Sequence, residues 1–78
     1  MARLPSLSSK QIIRALRKAG FEEAPLRGKD SHRAFVRRDP GGRVHLAIVP
    51  QGKDIPRGTL LAILDQAGLG KGEFLDLL

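Results

Sequence analysis

The apolar residues of this chain change their spacing twice, and that change limits the fold more than any other feature. From Ile12 to Ala19 they recur at helical intervals, with Ile12, Ile13, Leu16 and Ala19 on one face. Between Phe21 and Pro50 the interval falls to two. His32 to Arg38 and Arg43 to Val49 read as strands, joined by the turn Asp39-Pro40-Gly41-Gly42, in which proline fixes φ and the glycines admit φ > 0. Phe21 to Leu26 offers a further short strand, which Pro25 confines to an edge or a bulge. Helical spacing then returns with Leu60, Leu61, Ile63, Leu64 and Ala67. The order helix, three strands, helix predicts a two-layer α+β domain, α-β-β-β-α, with the helices on one face of an antiparallel sheet.

Local signals mark the ends of these elements. Ser8 with Gln11 reads as a capping box, and Gly20 is placed to end the first helix in the left-handed conformation. Pro56 suits the first turn of the next helix, and Gly68 closes it. A short last helix from Glu73 to Leu78 would dock through Phe74, Leu77 and Leu78. In the middle strand Phe35 is the expected core residue, and His32, an odd number of positions away, belongs on the open face. In the last strand Val44, Leu46 and Ile48 are expected to face the core, which would put His45 on the open face with His32.

Seventy-eight residues make one domain, 1–78, with a thin core. There is no cysteine, so neither disulfides nor thiolate chemistry is available, which fits a reducing compartment. The longest apolar run, Leu60 to Leu64, is far short of the ~20 residues needed to span a bilayer. MARLPSLSSKQ lacks the apolar stretch of a secretory signal. A cytoplasmic protein with no membrane partner is the expectation.

Charge is the first pointer to a partner. The net charge is +6, but residues 1–57 carry thirteen basic and five acidic side chains, a net +8, while residues 58–78 carry −2. So lopsided a field draws phosphate polymers. On the first helix Lys10, Arg14 and Lys18 form one stripe, with Arg17 beside it. Unpaired like charges at that spacing repel, which favours an anionic partner over a merely solvated face.

The only histidines are His32 and His45. Neither has the spacing or partners of a familiar metal site, and no phosphate-binding glycine loop is present, so no metal or small-molecule cofactor is expected. What remains is Lys29-Asp30-Ser31-His32-Arg33-Ala34-Phe35. A neutral imidazole there can take the proton of a ribose 2′-hydroxyl, which then attacks the adjacent phosphate. Neighbouring cations such as Lys29 and Arg33 would stabilise the added charge and disfavour imidazolium. The plainer alternative is an exposed strand histidine with no task.

Asp30-Ser31-His32-Arg33-Ala34-Phe35 resembles the G-S-H-x-x-F strand of the HicA family. Val49-Pro50-Gln51-Gly52-Lys53-Asp54-Ile55-Pro56-Arg57-Gly58-Thr59-Leu60, followed by Ile63-Leu64-Asp65-Gln66-Ala67-Gly68-Leu69, is similar to that family's second signature. Lys10 to Phe21 fits its first helix. The resemblance implies a double-stranded-RNA-binding-like fold and an mRNA-cleaving toxin with a single catalytic histidine, here His32. It also implies a HicB-type antitoxin that masks the site. The sequence departs from the family at one point, with Asp30 where the family has glycine.

Alongside His32, the candidate RNA contacts are Lys10, Arg14, Lys18, Lys29, Ser31 and Arg33. His45 is a candidate second acid or RNA contact, against the plainer reading of an exposed residue. Ser31 has no base and orienting group to make it a nucleophile, so a hydrogen bond to RNA or backbone suits it better. Two other functions remain open, a non-catalytic RNA-binding module and a protein-interaction domain. Phe21, Phe35 and Phe74 are all claimed by the core, which argues against a reader that stacks single-stranded bases.

Overall fold

The computed structural model describes residues 6–25 and 32–78. The order is α1 (Ser9–Lys18), β1 (Glu22–Ala24), β2 (His32–Arg38), β3 (Val44–Pro50), α2 (Arg57–Ala67) and α3 (Lys71–Leu77). The strands form one antiparallel sheet in the order β1-β2-β3. The α+β architecture expected from the spacing is the one observed.

The helix ends follow local chemistry. The Ser8 hydroxyl accepts the Gln11 backbone N–H at 3.3 Å, and the Gln11 side chain accepts the Ser8 N–H at 3.0 Å. Gly20, at φ +98°, lets the Phe21 N–H reach back to the Leu16 carbonyl at 3.0 Å. Gly68 does the same for α2, at φ +70°, with the Leu69 N–H on the Leu64 carbonyl. Pro56 sits at the N-cap of α2, one position before the first turn. α3 begins two residues earlier than expected, because the Glu73 carboxylate accepts the Gly70 N–H at 3.1 Å and caps it there.

All three helices pack on one face. Ile12 and Leu16 from α1, Leu60, Ile63 and Leu64 from α2, and Phe74 from α3 enclose Phe35, which is fully buried. Phe21 and Phe74 are buried with it, as expected. Leu78, expected to dock, is exposed.

The facing of β3 is the reverse of the expectation. Ala47 and Val49 are buried in the core and His45 is half-buried beside them, whereas Val44 and Leu46 are 52% and 51% exposed. The hairpin turn decides this. Asp39 and Arg43 close a three-residue loop whose last residue, Gly42, has φ +85°, the form in which a type I turn runs into a left-handed glycine. That turn sets Arg38 opposite Val44 and Phe35 opposite Ala47. Residues opposite one another share a face, so the large ring of Phe35 takes the small Ala47 as its neighbour and the odd-numbered residues of β3 turn inward. Every residue of β3 but one is apolar or proline, so alternation alone could not choose between its faces.

A connection with no sequence signal ties the start of the chain to the segment before α2. Leu7 forms an isolated antiparallel bridge with Ile55, whose N–H donates to the Leu7 carbonyl at 2.8 Å. The Ser9 N–H donates to the Gly52 carbonyl at 2.9 Å, and the Ser6 hydroxyl hydrogen-bonds the Asp54 carboxylate.

Candidate RNA-facing site

His32 opens β2, opposite Pro50 on β3, and is exposed. As predicted from its odd distance to Phe35, it lies on the face away from the helices. Beside it is a cleft of about 440 Å³ lined by Glu23, Ala24, Pro25, His32 and Arg33. The short β1 makes this cleft. Its pairing with β2 runs over three residues, from Glu22 opposite Val36 to Ala24 opposite Ala34, and Pro25 follows at once.

Four of the expected RNA contacts come together in a second cleft. Lys10, Arg14 and Lys18 of α1 line it with Arg33, and with Ile13 and Arg17, around a volume of about 550 Å³. The capping box fixes where α1 begins, and the burial of Ile12 and Leu16 fixes its rotation, so the cationic stripe is left outward. Arg33 lines both clefts. Lys29, Asp30 and Ser31 lie outside the described residues.

Two expectations about this face are corrected. Val44, Leu46 and Ile48 were expected to face the core, but Val44 and Leu46 are exposed on the open face of the edge strand β3. Arg38, opposite Val44, is a cation on that face, while five others gather on the helix side, along α1 and at Arg33. His45 is not on the open face. Its Nε2 is 3.1 Å from Asp39 Oδ2, and its ring lies where a Cβ on Gly68 would come within 2.9 Å. Since His32 stands opposite Pro50 and His45 opposite Arg37, the two are five positions apart along the sheet, roughly 17 Å. They also lie on opposite faces. His45 joins the hairpin turn to the end of α2 and is no second acid for chemistry at His32.

Glu23 and Arg17 complete the site, and the sequence reading had not placed either in it. Arg33 grips Glu23 with two bonds, Nε to Oε2 at 2.7 Å and Nη2 to Oε1 at 2.6 Å, while Arg17 Nη2 approaches Oε1 at 3.5 Å. Both guanidinium groups lie over the Phe35 ring, 5.5 and 5.6 Å from its centre. The Arg33 hydrogen bonds hold the Glu23 carboxyl below its ordinary 4.5, against the opposing effect of desolvation. Glu23 raises Arg33 in return. The signal that could have found this cluster is the diagonal cross-strand spacing of Glu23 and Arg33, which needs the register of β1 on β2 to be known.

Among the described residues no three His, Cys, Asp or Glu side chains gather as a metal-binding group. Among those residues, too, no helix is long and apolar enough to cross a membrane. No curated protein matches the chain. A family model does: the one described as the HicA toxin of bacterial toxin-antitoxin systems matches residues 9–69, a span that takes in α1, the whole sheet and α2. The chain belongs to the HicA toxin family.

Proposed function

We propose that this toxin is an mRNA-cleaving endoribonuclease with His32 as its general base. Lys10, Arg14, Lys18 and Arg33, with Lys29 and Ser31 from the sequence just before the histidine, are its RNA contacts. The observation that carries the reading is the place of His32. It is exposed in a cleft that shares Arg33 with a groove of five cationic side chains.

In the reaction, neutral His32 accepts the proton of a ribose 2′-hydroxyl and O2′ forms a bond to the neighbouring phosphorus. The bond to O5′ breaks, and the proton returns through solvent to that oxygen. The products are a 2′,3′-cyclic phosphate and a 5′-hydroxyl. The attacking group belongs to the substrate, so the scheme calls on no metal and no cofactor. Arg33 offsets the charge that builds on the phosphate.

The partner in this reading is a HicB-type antitoxin in the cytoplasm, covering His32 and its basic surroundings. Exposed Val44 and Leu46, on the same face as His32, offer a protein partner apolar contact that RNA phosphates do not use.

His32→Ala tests the assignment. The side chain is exposed, so the variant should melt with the wild type and still bind RNA through its lysines and arginines. Cleavage should fall by about 10²–10⁴-fold, the usual worth of a general base. Wild-type activity should persist in EDTA and leave the cyclic phosphate. Undiminished cleavage by the variant removes His32 from the role, and a wild type that binds RNA without cutting it makes the chain a non-catalytic binding module.

A further inference from the structure

Glu23 is an oddity, a carboxylate set among the cations that the proposed function assigns to RNA. Its contacts suggest why it is there. A guanidinium has five N–H donors in a planar fork. Glu23 occupies the edge formed by Nε and Nη2. This side-on grip leaves the end formed by Nη1 and the second hydrogen of Nη2 with its donors unspent on Glu23, spaced to take two oxygens of one phosphate. The Phe35 ring underneath restrains the guanidinium plane. Arg33 is therefore fixed in direction at the boundary between the α1 groove and the His32 cleft.

We propose that Glu23 is a positioning residue that aims the outer end of Arg33 at a backbone phosphodiester, at the point where RNA passes from the α1 groove to His32. The proposal rests on the RNA-cleaving reading for its effect on rate, but not for its effect on Arg33 itself. An exposed ion pair of this kind adds little to folding, so its removal leaves the scaffold intact. Loss of a negative charge from a cationic groove favours RNA binding, whereas loss of aim impairs the chemical step. A positioning role thus predicts opposite movements of affinity and rate, which a merely structural pair does not.

The experiment compares wild type, Glu23→Gln, Arg33→Ala and the double variant, with melting curves to establish that each is folded. Substrates are an oligoribonucleotide and its 2′-O-methylated, uncleavable counterpart. For Glu23→Gln, kcat should fall roughly 10- to 100-fold, the scale of a small misplacement near the reacting atoms. Affinity for the uncleavable strand should be equal or tighter. The double variant should cut no more slowly than Arg33→Ala, since Glu23 acts through Arg33. In wild type the uncleavable strand should shift the Arg33 side-chain N–H resonances, and in Glu23→Gln that shift should be lost. Unchanged or faster cleavage by Glu23→Gln would make Glu23 a competitor of phosphate and overturn the proposal, as would kcat and affinity falling together. Should the wild type prove unable to cut RNA, the endoribonuclease reading fails while the resonances still decide this one: a shift that depends on Glu23 upholds it, and the absence of any shift ends it.

Discussion

Asp39 serves two elements at once. Oδ1 accepts the Arg43 N–H at 2.9 Å inside the hairpin turn, and Oδ2 meets His45 Nε2 at 3.1 Å on the helix side of β3. The hydrogen bond to His45, then that to Arg43, hold the Asp39 carboxyl below its ordinary 3.8. A carboxyl whose folded value is lowered contributes stability that is full above the ordinary value and vanishes as pH falls through the lowered one. Asp39→Asn should therefore be less stable than the wild type at pH 6 and converge with it in strong acid. Urea midpoints measured across that range read the difference directly, and a constant gap would detach the effect from ionisation. At this scale the sequence was only partly legible. Phe35 declared itself as the one large apolar side chain of β2, and parity with it placed His32. His45 was misread because its facing depends on the turn register, and its value lies in contacts to Asp39 and Gly68, six and 23 positions away.

The helices were legible to within a residue or two because their caps are local. Ser8 and Gln11 lie three residues apart, and Gly20 and Gly68 each follow an apolar stripe directly. Gly68 shows how much one such position can hold. Its φ of +70° costs any other residue about 1–2 kcal/mol, and a Cβ would also press on the His45 ring at 2.9 Å. Gly68→Ala should thus destabilise by at least that amount, and removing the ring in His45→Ala/Gly68→Ala should return the steric part. Equilibrium denaturation of the two variants and of His45→Ala closes that cycle; strict additivity would mean the ring and the glycine are independent. The strands were harder. β3 pairs with β2 on one edge, and on the other the Ile48 N–H donates to the Gln66 side chain of α2 at 3.0 Å. No periodicity in either segment announces that bond, yet it covers part of an edge that would otherwise invite another strand.

Over the whole molecule the charge imbalance has become a location. Five of the basic residues of 1–57, Lys10, Arg14, Arg17, Lys18 and Arg33, line one groove along α1, while exposed Val44 and Leu46 occupy the open sheet face. If RNA follows the α1 groove, affinity should fall steeply with salt, and Arg14→Ala/Lys18→Ala should flatten the slope by up to about 1.4 for two lost single-strand phosphate contacts. Titrations at several salt concentrations measure this, and an unchanged slope would place the RNA elsewhere. The composition gave the sign and size of the charge, but the packing of α1 against β3 and α3 shows which way its cationic stripe faces. The tie between Leu7 and Ile55 acts at the same scale. It joins positions 48 apart, so its closure is among the least local events in the fold. While the chain is being synthesised, α1 can coil early, but Leu7 and Ser9 find their backbone partners only after Gly52 and Ile55 have been added and have left the ribosome. The cationic groove is therefore secured at its leading end only once the sheet residues behind it have been translated.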